Sequence, residues 1–401
     1  YMRQTNIASL VAVAFLAMAA STAGAQDANH DIRIVLPEQP GNLESCGTII
    51  TTVGQVLSQN VTESLTVINT VTGQPEPKLA TKWEQLNPTT WRLTLREGVK
   101  FHDGADLNAK AVAFSIDRMT GGKLTCNNMA KFGNAKLTVT PVDNYIVEIK
   151  SDRPQPILPT LLSVVMIVSP NTPADKAVND PVGTGPFKLA SFTQQNVVLE
   201  PFSGYWGSKP AVSKATYIWR QESSIRAAMV ETGEADLTPA IAIQDATNPQ
   251  TDFAYLNSET SAIRIDAQQP PLDDVRIRKA LNLAIDWEGL SQLFGEDAQR
   301  ASQMVVQGII GYDKNLKSWP YDLKQAQSLI ASAKADGVKV DTEIRLIGRN
   351  GIYPNGGEAM EAIRHVQFGI TISLLALSAW VIVEAIITWY HMHRHDEEPA
   401  V

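Results

Sequence analysis

The stretch PKLATKWEQLNPTTWRLTLREGVKFHDGADLNAKAVAFSIDR, residues 77–118, decides the fold predicted for this chain. Residues 91–95 alternate apolar and polar side chains, which is typical of a half-buried strand. An Asn-Pro pair before this strand and a His-Asp-Gly triplet after it are turn signals. Asn108 can then cap a helix over residues 108–118, where apolar residues recur at helical spacing. The stretch therefore predicts a packed strand, turn and helix, and none of its residues is visibly catalytic.

Length and composition predict a globular protein with a sizeable core. The chain has 401 residues, which suggests two or more domains. Hydrophobic residues make up 44% of the chain and charged residues 19%, which is typical of a globular protein. The net charge of −8 argues against nucleic acid as a partner, because phosphate binding needs a basic surface.

The N-terminus predicts export. Arg3 precedes an apolar run at residues 7–20, and residues 23–25 read Ala-Gly-Ala, a small-residue cleavage site. Residues 1–25 are therefore expected to be a signal peptide. An uncut membrane anchor is the alternative, although the apolar run is short for a span.

Export bears on the two cysteines, Cys46 and Cys126. In an oxidising compartment they could form a disulfide, which we favour because both lie beside predicted loops. Two separate buried thiols are the alternative.

Strand and helix patterns alternate along the rest of the chain, which is typical of an α/β fold. Strands are expected at residues 31–36, 137–142, 145–149, 216–219, 263–267 and 342–347. Helices are expected over residues 53–65 and 224–232, from Asp273 or Asp274, after Asp322, and from residue 356.

Several segments resemble the family 5 extracellular solute-binding proteins, the peptide, nickel and oligosaccharide receptors of ABC importers. The resemblance covers residues 31–363. The segments that carry it are PKLATKWE at 77–84, LREGVKFHDG at 95–104, VGTGPFKL at 182–189, GYWGSKP at 204–210 and PPLDD at 270–274.

This resemblance implies a two-lobe, type II periplasmic-binding-protein-like fold with an inserted subdomain in lobe I. Lobe II is expected to be incomplete, because members of the family normally continue for well over a hundred residues more. The expected divisions are lobe I at 26–75 and 181–265, the inserted subdomain at 76–180, and partial lobe II at 266–363.

A mostly apolar run at residues 366–390 predicts a C-terminal transmembrane helix. As a helix it would be about 37 Å long, enough to cross a hydrocarbon core of about 30 Å. A buried helix of a soluble core is the alternative. Glu384 is costly in lipid and predicts a contact with a membrane partner. Residues 391–401 would then be a short cytoplasmic tail.

The resemblance also implies a ligand site on loops that follow lobe I strands and near the crossover between lobes. The candidate ligand-binding residues are Asn42, Leu43, Glu44, Ser45, Thr238, Ala240, Ile241, Gln268 and Gln269. Motifs for catalysis, a metal or a cofactor are not found, so no enzyme is predicted.

Two functions are predicted from these features. The first is a periplasmic receptor, anchored to the inner membrane, that binds a peptide or similar solute by hinge closure and delivers it to an ABC permease. The second is a membrane-anchored accessory subunit of a larger membrane complex, derived from such a receptor and no longer binding solute.

Overall fold

The computed structural model describes residues 30–48, 50–133, 135–254, 260–295, 298–307, 309, 311–348 and 355–372. These residues form two compact units. The first contains the described residues up to Ile68, together with Pro75–Trp219 and Val230–Leu237. The second contains Asn69–Gln74, Arg220–Met229 and the described residues from Thr238 onward.

Strands in the described residues belong to the first unit. They are β1 Asp31–Leu36, β2 Glu63–Ser64, β3 Thr66–Ile68, β4 Pro75–Pro77, β5 Ala80–Asn87, β6 Thr90–Leu95, β7 Leu137–Pro141, β8 Ile146–Ser151, β9 Met166–Ile167, β10 Phe187–Phe192, β11 Val197–Pro201 and β12 Lys214–Trp219. One sheet has the order β1-β12-β11-β10, with β1 parallel to β12 and the other pairs antiparallel. A second, antiparallel sheet has the order β5-β6-β8-β7. The pairs β2-β9 and β3-β4 lie outside these sheets.

Helices occur in both units. They are α1 Thr51–Leu57, α2 Ala109–Thr120, α3 Leu158–Leu161, α4 Ser223–Glu231, α5 Val275–Ala284, α6 Trp287–Ser291, α7 Leu323–Ala335 and α8 Gly356–Ile372.

The predicted strand–turn–helix unit at 77–118 is confirmed. Strand β6 pairs with β5 and β8, and its alternation buries Leu93 and Leu95. The side chain of Asn108 caps α2 by accepting a hydrogen bond from the amide of Ala111 at 3.0 Å. Helix α2 packs Val112 against the same core, so this stretch contributes many residues to the largest described hydrophobic cluster.

The first sheet has its own core. Side chains from β1, β11 and β12 pack with those of α1, and Leu36, Val56 and Leu199 are fully buried there. The loop that connects β1 to α1 is therefore held at both ends by packed elements. This is the loop that carries the first four candidate ligand-binding residues.

The second unit is built on α5 and α7. Asp274 and Asp322 cap these helices by accepting hydrogen bonds from Arg276 N and Gln325 N. Their contact buries Ala280 and other small or aliphatic residues. The two predicted helix starts are confirmed.

Three sequence predictions are wrong in the described residues. The helix predicted over 53–65 ends at Leu57, because the chain turns at Gln59, whose φ is 65°, and then forms β2. Residues 263–267 and 342–347 are not strands. Their alternating pattern is present, but no described strand pairs with them, and a strand needs a neighbour for its backbone hydrogen bonds.

The terminal predictions fall mainly outside the described part of the chain. This applies to residues 1–25, to Glu384 and to residues 391–401. The predicted span at 366–390 reaches the described residues only where α8 ends, at Ile372. No helix within the described residues is long and apolar enough to cross a membrane.

Candidate functional site

The loop after β1 carries the first candidate residues, and most of their side chains face the protein interior. Leu43 is 0% exposed, Glu44 5% and Ser45 2%, whereas Asn42 is exposed. The side-chain oxygen of Asn42 accepts a hydrogen bond from the Glu44 amide at 3.0 Å. Of these four side chains, only that of Asn42 is therefore presented to solvent. The sequence pattern did not distinguish it from the other three.

Glu44 forms a buried ion pair with Arg118 of α2. Its Oε1 lies 2.7 Å from Arg118 Nη1 and its Oε2 lies 2.9 Å from Arg118 Nη2. The amides of Cys46 and Val178 donate to the same carboxylate at 3.2 and 3.0 Å. Burial raises the pKa of Glu44, but the hydrogen bonds and the Arg118 charge outweigh burial and hold this pKa below its usual value. Both carboxylate oxygens are therefore occupied by protein donors, and the role of Glu44 as a ligand contact stays a prediction.

Arg118 also holds a second loop, residues 173–179. Its Nε donates to the carbonyl of Pro173 at 2.7 Å, and its Nη2 donates to the carbonyl of Lys176 at 3.0 Å. The side-chain oxygen of Asn179 accepts from the Leu43 amide at 3.0 Å. The first loop, residues 42–45, and the second loop are therefore fixed to each other.

A disulfide anchors the end of the first loop. Cys46 is bonded to Cys126, with 5.0 Å between their Cα atoms and a sequence separation of 80. The buried Asn128 adds hydrogen bonds to Thr48 Oγ1 at 3.1 Å and to the Val164 carbonyl at 2.6 Å. The segment that follows the first loop is thus attached to the segment at 126–128.

An open depression of about 710 Å³ lies beside the two loops. Its lining includes Gln39 and Gly41 before the first loop, Asn179 at the end of the second loop, and Asp180 directly after it. Residues 189–194, of β10 and the following turn, complete the lining. This surface, which has both polar and apolar lining residues, is the candidate ligand-facing surface of the first unit. Sequence reasoning missed Gln39, Asn179 and Asp180, because they become neighbours only when the two loops are brought together.

A second buried carboxylate, that of Glu63, is contacted by residues of three family-like motifs. Lys78 Nζ lies 2.9 Å from Glu63 Oε1, and Tyr205 donates to the same oxygen at 3.1 Å. Thr184 and Trp206 donate to Glu63 Oε2 at 2.9 and 2.8 Å. Burial and the Glu63 charge raise the pKa of Tyr205 well above its usual value. Segments far apart in sequence therefore meet at one fully buried charge.

Two glycines of the VGTGPF motif permit this convergence. A Cβ atom on Gly183 would lie 2.0 Å from the Val61 carbonyl oxygen, and one on Gly185 would lie 2.2 Å from that of Asn60. The Gly185 carbonyl also contacts His102 Nε2 at 2.9 Å. The motif is thus a close backbone contact within the first unit.

In the second unit, the candidate residues Thr238, Ala240 and Ile241 are half-buried. The buried Arg226 of α4 donates to the Ala240 carbonyl through Nε at 3.1 Å and Nη2 at 2.9 Å. Its Nη1 donates to the Arg220 and Gln221 carbonyls, and burial lowers the pKa of Arg226. This segment is held by its backbone, which leaves its side chains as candidates for ligand contact.

Gln268 and Gln269 are exposed, in a turn that precedes α5. Asp266 organises this turn. Its side chain accepts a hydrogen bond from the backbone amide of Gln268 at 3.1 Å, and its carbonyl accepts one from the backbone amide of Gln269 at 3.3 Å. Among the described residues, no cluster of three or more His, Cys, Asp or Glu side chains could hold a metal ion.

Comparison with known protein families gives a clear match. The family model described as bacterial extracellular solute-binding proteins, family 5 middle, matches residues 74–388. The glutathione-binding protein of Salmonella typhi is 31% identical over 257 residues, which are 61% of this chain and 50% of that protein. The dipeptide-binding protein of Escherichia coli K12 is 27% identical over 303 residues, covering 66% of this chain and 56% of that protein. The chain thus spans about half the length of the curated relatives it matches.

Solved structures show the same fold. A dipeptide-binding protein from Pseudoalteromonas sp. SM9913 in complex with Met-Leu superposes with a TM-score of 0.72 at 20% identity, covering 85% of this chain and 74% of that one. NikZ from Campylobacter jejuni in complex with Ni(L-His) gives 0.69 at 20% identity, covering 84% and 72%. The architecture is therefore that of the type II periplasmic binding proteins, with mixed α and β structure.

Proposed function

This chain belongs to the bacterial extracellular solute-binding proteins of family 5, and from that premise we propose that it binds a short peptide or a similar amino-acid-derived solute. The family resemblance predicted from the sequence is confirmed by the match. The members are binding proteins and not enzymes, so the ligand would leave the protein chemically unchanged. On the first unit, the residues proposed to contact it are Asn42 and the exposed lining of the depression. For the second unit, Thr238, Ala240, Ile241, Gln268 and Gln269 stay predicted ligand contacts.

The observation that carries this proposal is the construction of the two loops in the first unit. A buried ion pair, a disulfide and several side-chain-to-backbone hydrogen bonds hold them, while Asn42, Asn179 and Asp180 stay exposed. Fixed polar groups around an open depression favour recognition of a small polar ligand, because little ordering remains to be lost on binding.

The proposed mechanism is capture by hinge closure. Ligand contacts with both lobes would stabilise the closed state relative to the open state, and the ligand could shift this equilibrium only by its difference in affinity for the two. The proposed location is the periplasm, and the proposed partner is an ABC permease. The lobe boundaries predicted from the sequence belong to the same proposal.

The C-terminal anchor at 366–390 stays a prediction. The family match extends to residue 388 and so includes most of this segment. The comparisons do not support the alternative of an accessory subunit that no longer binds solute, and we do not propose it.

Binding is tested by thermal unfolding and titration calorimetry of the full chain with glutathione, the dipeptide Met-Leu, or nickel with histidine. A ligand that binds only the native state at a hundred times its Kd stabilises it by about 2.7 kcal/mol, so the Tm should rise. Maltose at equal concentration is the control. The proposal is refuted if none of the three solutes raises the Tm or releases heat on binding.

A further inference from the structure

We infer that Arg118 is a positioning residue that holds the first and second loops in the one arrangement on which ligand affinity depends. The inference rests on the proposed function for its ligand, but the loop arrangement can be measured without one. Arg118 belongs to the predicted inserted subdomain and is not itself part of the exposed lining. Its side chain is 2% exposed.

The guanidinium of Arg118 contacts both loops. It engages both oxygens of Glu44 and, in addition, two carbonyls of the second loop, those of Pro173 and Lys176. One planar group thus sets the distance and the angle between the two loops. A lysine carries the same charge but lacks the planar fork, so it cannot reproduce these four bonds together.

Hydrogen bonds also run between the two loops in both directions. The Val178 amide of the second loop donates to Glu44, while the Leu43 amide of the first loop donates to Asn179. Asn179 in turn lines the depression. Displacement of Arg118 would therefore move lining residues as well as the buried contacts.

The buried ion pair between Arg118 and Glu44 is not explained by stability alone. Burying two charges costs desolvation free energy, and replacing such pairs with apolar residues is often neutral or stabilising. Stability alone is therefore a weak reason for a buried pair at this place. A fixed geometry of two adjoining loops is a specific result that apolar packing would not reproduce.

The test compares Arg118→Met and Arg118→Lys with two controls in the same unit. Arg92→Met removes a partly exposed ion pair with Glu148 on the β6–β8 sheet. Val147→Ala removes volume from a fully buried position of β8 and reports general destabilisation. Amide hydrogen exchange is followed in peptides covering residues 39–48 and 172–180, and in a reference peptide covering residues 90–95.

Both Arg118 variants are expected to speed exchange in the two loop peptides by about tenfold or more, with little change in the reference peptide. Under conditions where all variants are folded, both should also weaken binding of the most tightly bound probe, glutathione or Met-Leu, by about tenfold. Arg92→Met should change neither the exchange rate in the loop peptides nor the affinity for the probe. Val147→Ala should speed exchange in the reference peptide as well as in the loop peptides.

The inference is overturned if the Arg118 variants leave exchange in the loop peptides unchanged. It is overturned as well if they speed exchange equally in the loop peptides and the reference peptide, which is the result expected of general destabilisation as in Val147→Ala. It is also overturned if the loops loosen while probe affinity stays at the wild-type value. Absence of probe binding by the wild-type protein would instead refute the proposed function, and hydrogen exchange would then decide the loop arrangement by itself.

Discussion

Glu63→Gln is expected to destabilise the first unit strongly, although the two side chains have nearly the same shape. Each carboxylate oxygen of Glu63 accepts from two donors: Lys78 and Tyr205 at Oε1, and Thr184 and Trp206 at Oε2. A glutamine must place an NH₂ group at one of these positions. The hydroxyls of Tyr205 and Thr184 can rotate to accept, but neither the lysine ammonium nor the indole N–H can accept a hydrogen bond.

Either orientation of the glutamine therefore leaves one donor facing another donor in a fully buried place. An unsatisfied buried polar group costs about 1–3 kcal/mol, and breaking a buried charge pair costs about 3–5 kcal/mol. Because Lys78 is 21% exposed and can keep some hydration, we expect a loss of about 3 kcal/mol of unfolding free energy.

The assay is urea unfolding at neutral pH, followed by tryptophan fluorescence and circular dichroism. The midpoint should fall while the slope with urea stays the same, because the folded core is retained. Glu148→Gln is the control, since Glu148 pairs with Arg92 at a half-exposed site and should lose less than about 1 kcal/mol. If Glu63→Gln unfolds within about 0.5 kcal/mol of the wild type, the account of a buried carboxylate joining the motifs is refuted.

Three further predictions concern the contacts around the two loops and the glycine motif. Replacing both Cys46 and Cys126 with alanine removes a cross-link between residues separated by 80 positions. The chain-entropy relation predicts a loss of about 4.5 kcal/mol in the free energy of unfolding, measured by urea unfolding without reductant. Equal unfolding midpoints for the variant and the wild type would contradict this prediction. Burial lowers the pKa of His102 in the folded protein, so the unfolded chain binds a proton at this residue more readily. The contribution of the neutral His102 to the free energy of unfolding is therefore complete above pH 6.5 and decreases as the pH falls below that value. The midpoint difference between the wild type and His102→Gln should therefore shift between pH 7.5 and pH 5, and a pH-independent difference would show that His102 is not the group involved. Gly183→Ala should lower the Tm markedly, because the added Cβ would lie 2.0 Å from a backbone oxygen. Gly41→Ala is the control and should not lower it, because the space around Gly41 is open. Similar Tm values for both variants would rule out the close contact at Gly183.

Local sequence signals predicted much of the secondary structure. Strand alternation found β6, and the capping residues Asn108, Asp274 and Asp322 marked the starts of α2, α5 and α7. These signals work because a strand's pleat and a helix's first turn involve residues that are neighbours in the chain. The family-like motifs could be recognised for the same reason, since each motif is a short continuous segment of the sequence.

Pairing between distant residues was not predictable in the same way. The stripe at 53–65 reads as one helix, yet the chain leaves the helix at Leu57 because residues 63–64 pair with β9, about a hundred residues later. The alternation at 263–267 and 342–347 was real but had no described strand to pair with. Periodicity reports which face of a segment is apolar, and only tertiary structure supplies the partner that the face packs against.

The sequence by itself determined the family, the α/β class and the elements around residues 77–118, because these depend on local patterns and continuous motifs. The tertiary structure alone decided the roles of the charged residues. Glu44 was predicted as a ligand contact, and the structure pairs its carboxylate with Arg118, which lies 74 positions away in the chain. No sequence pattern indicated a role for Glu63, yet its carboxylate contacts residues of three family-like motifs. A buried charge is recognisable only from the donors around it, and folding brings those donors together from distant parts of the chain.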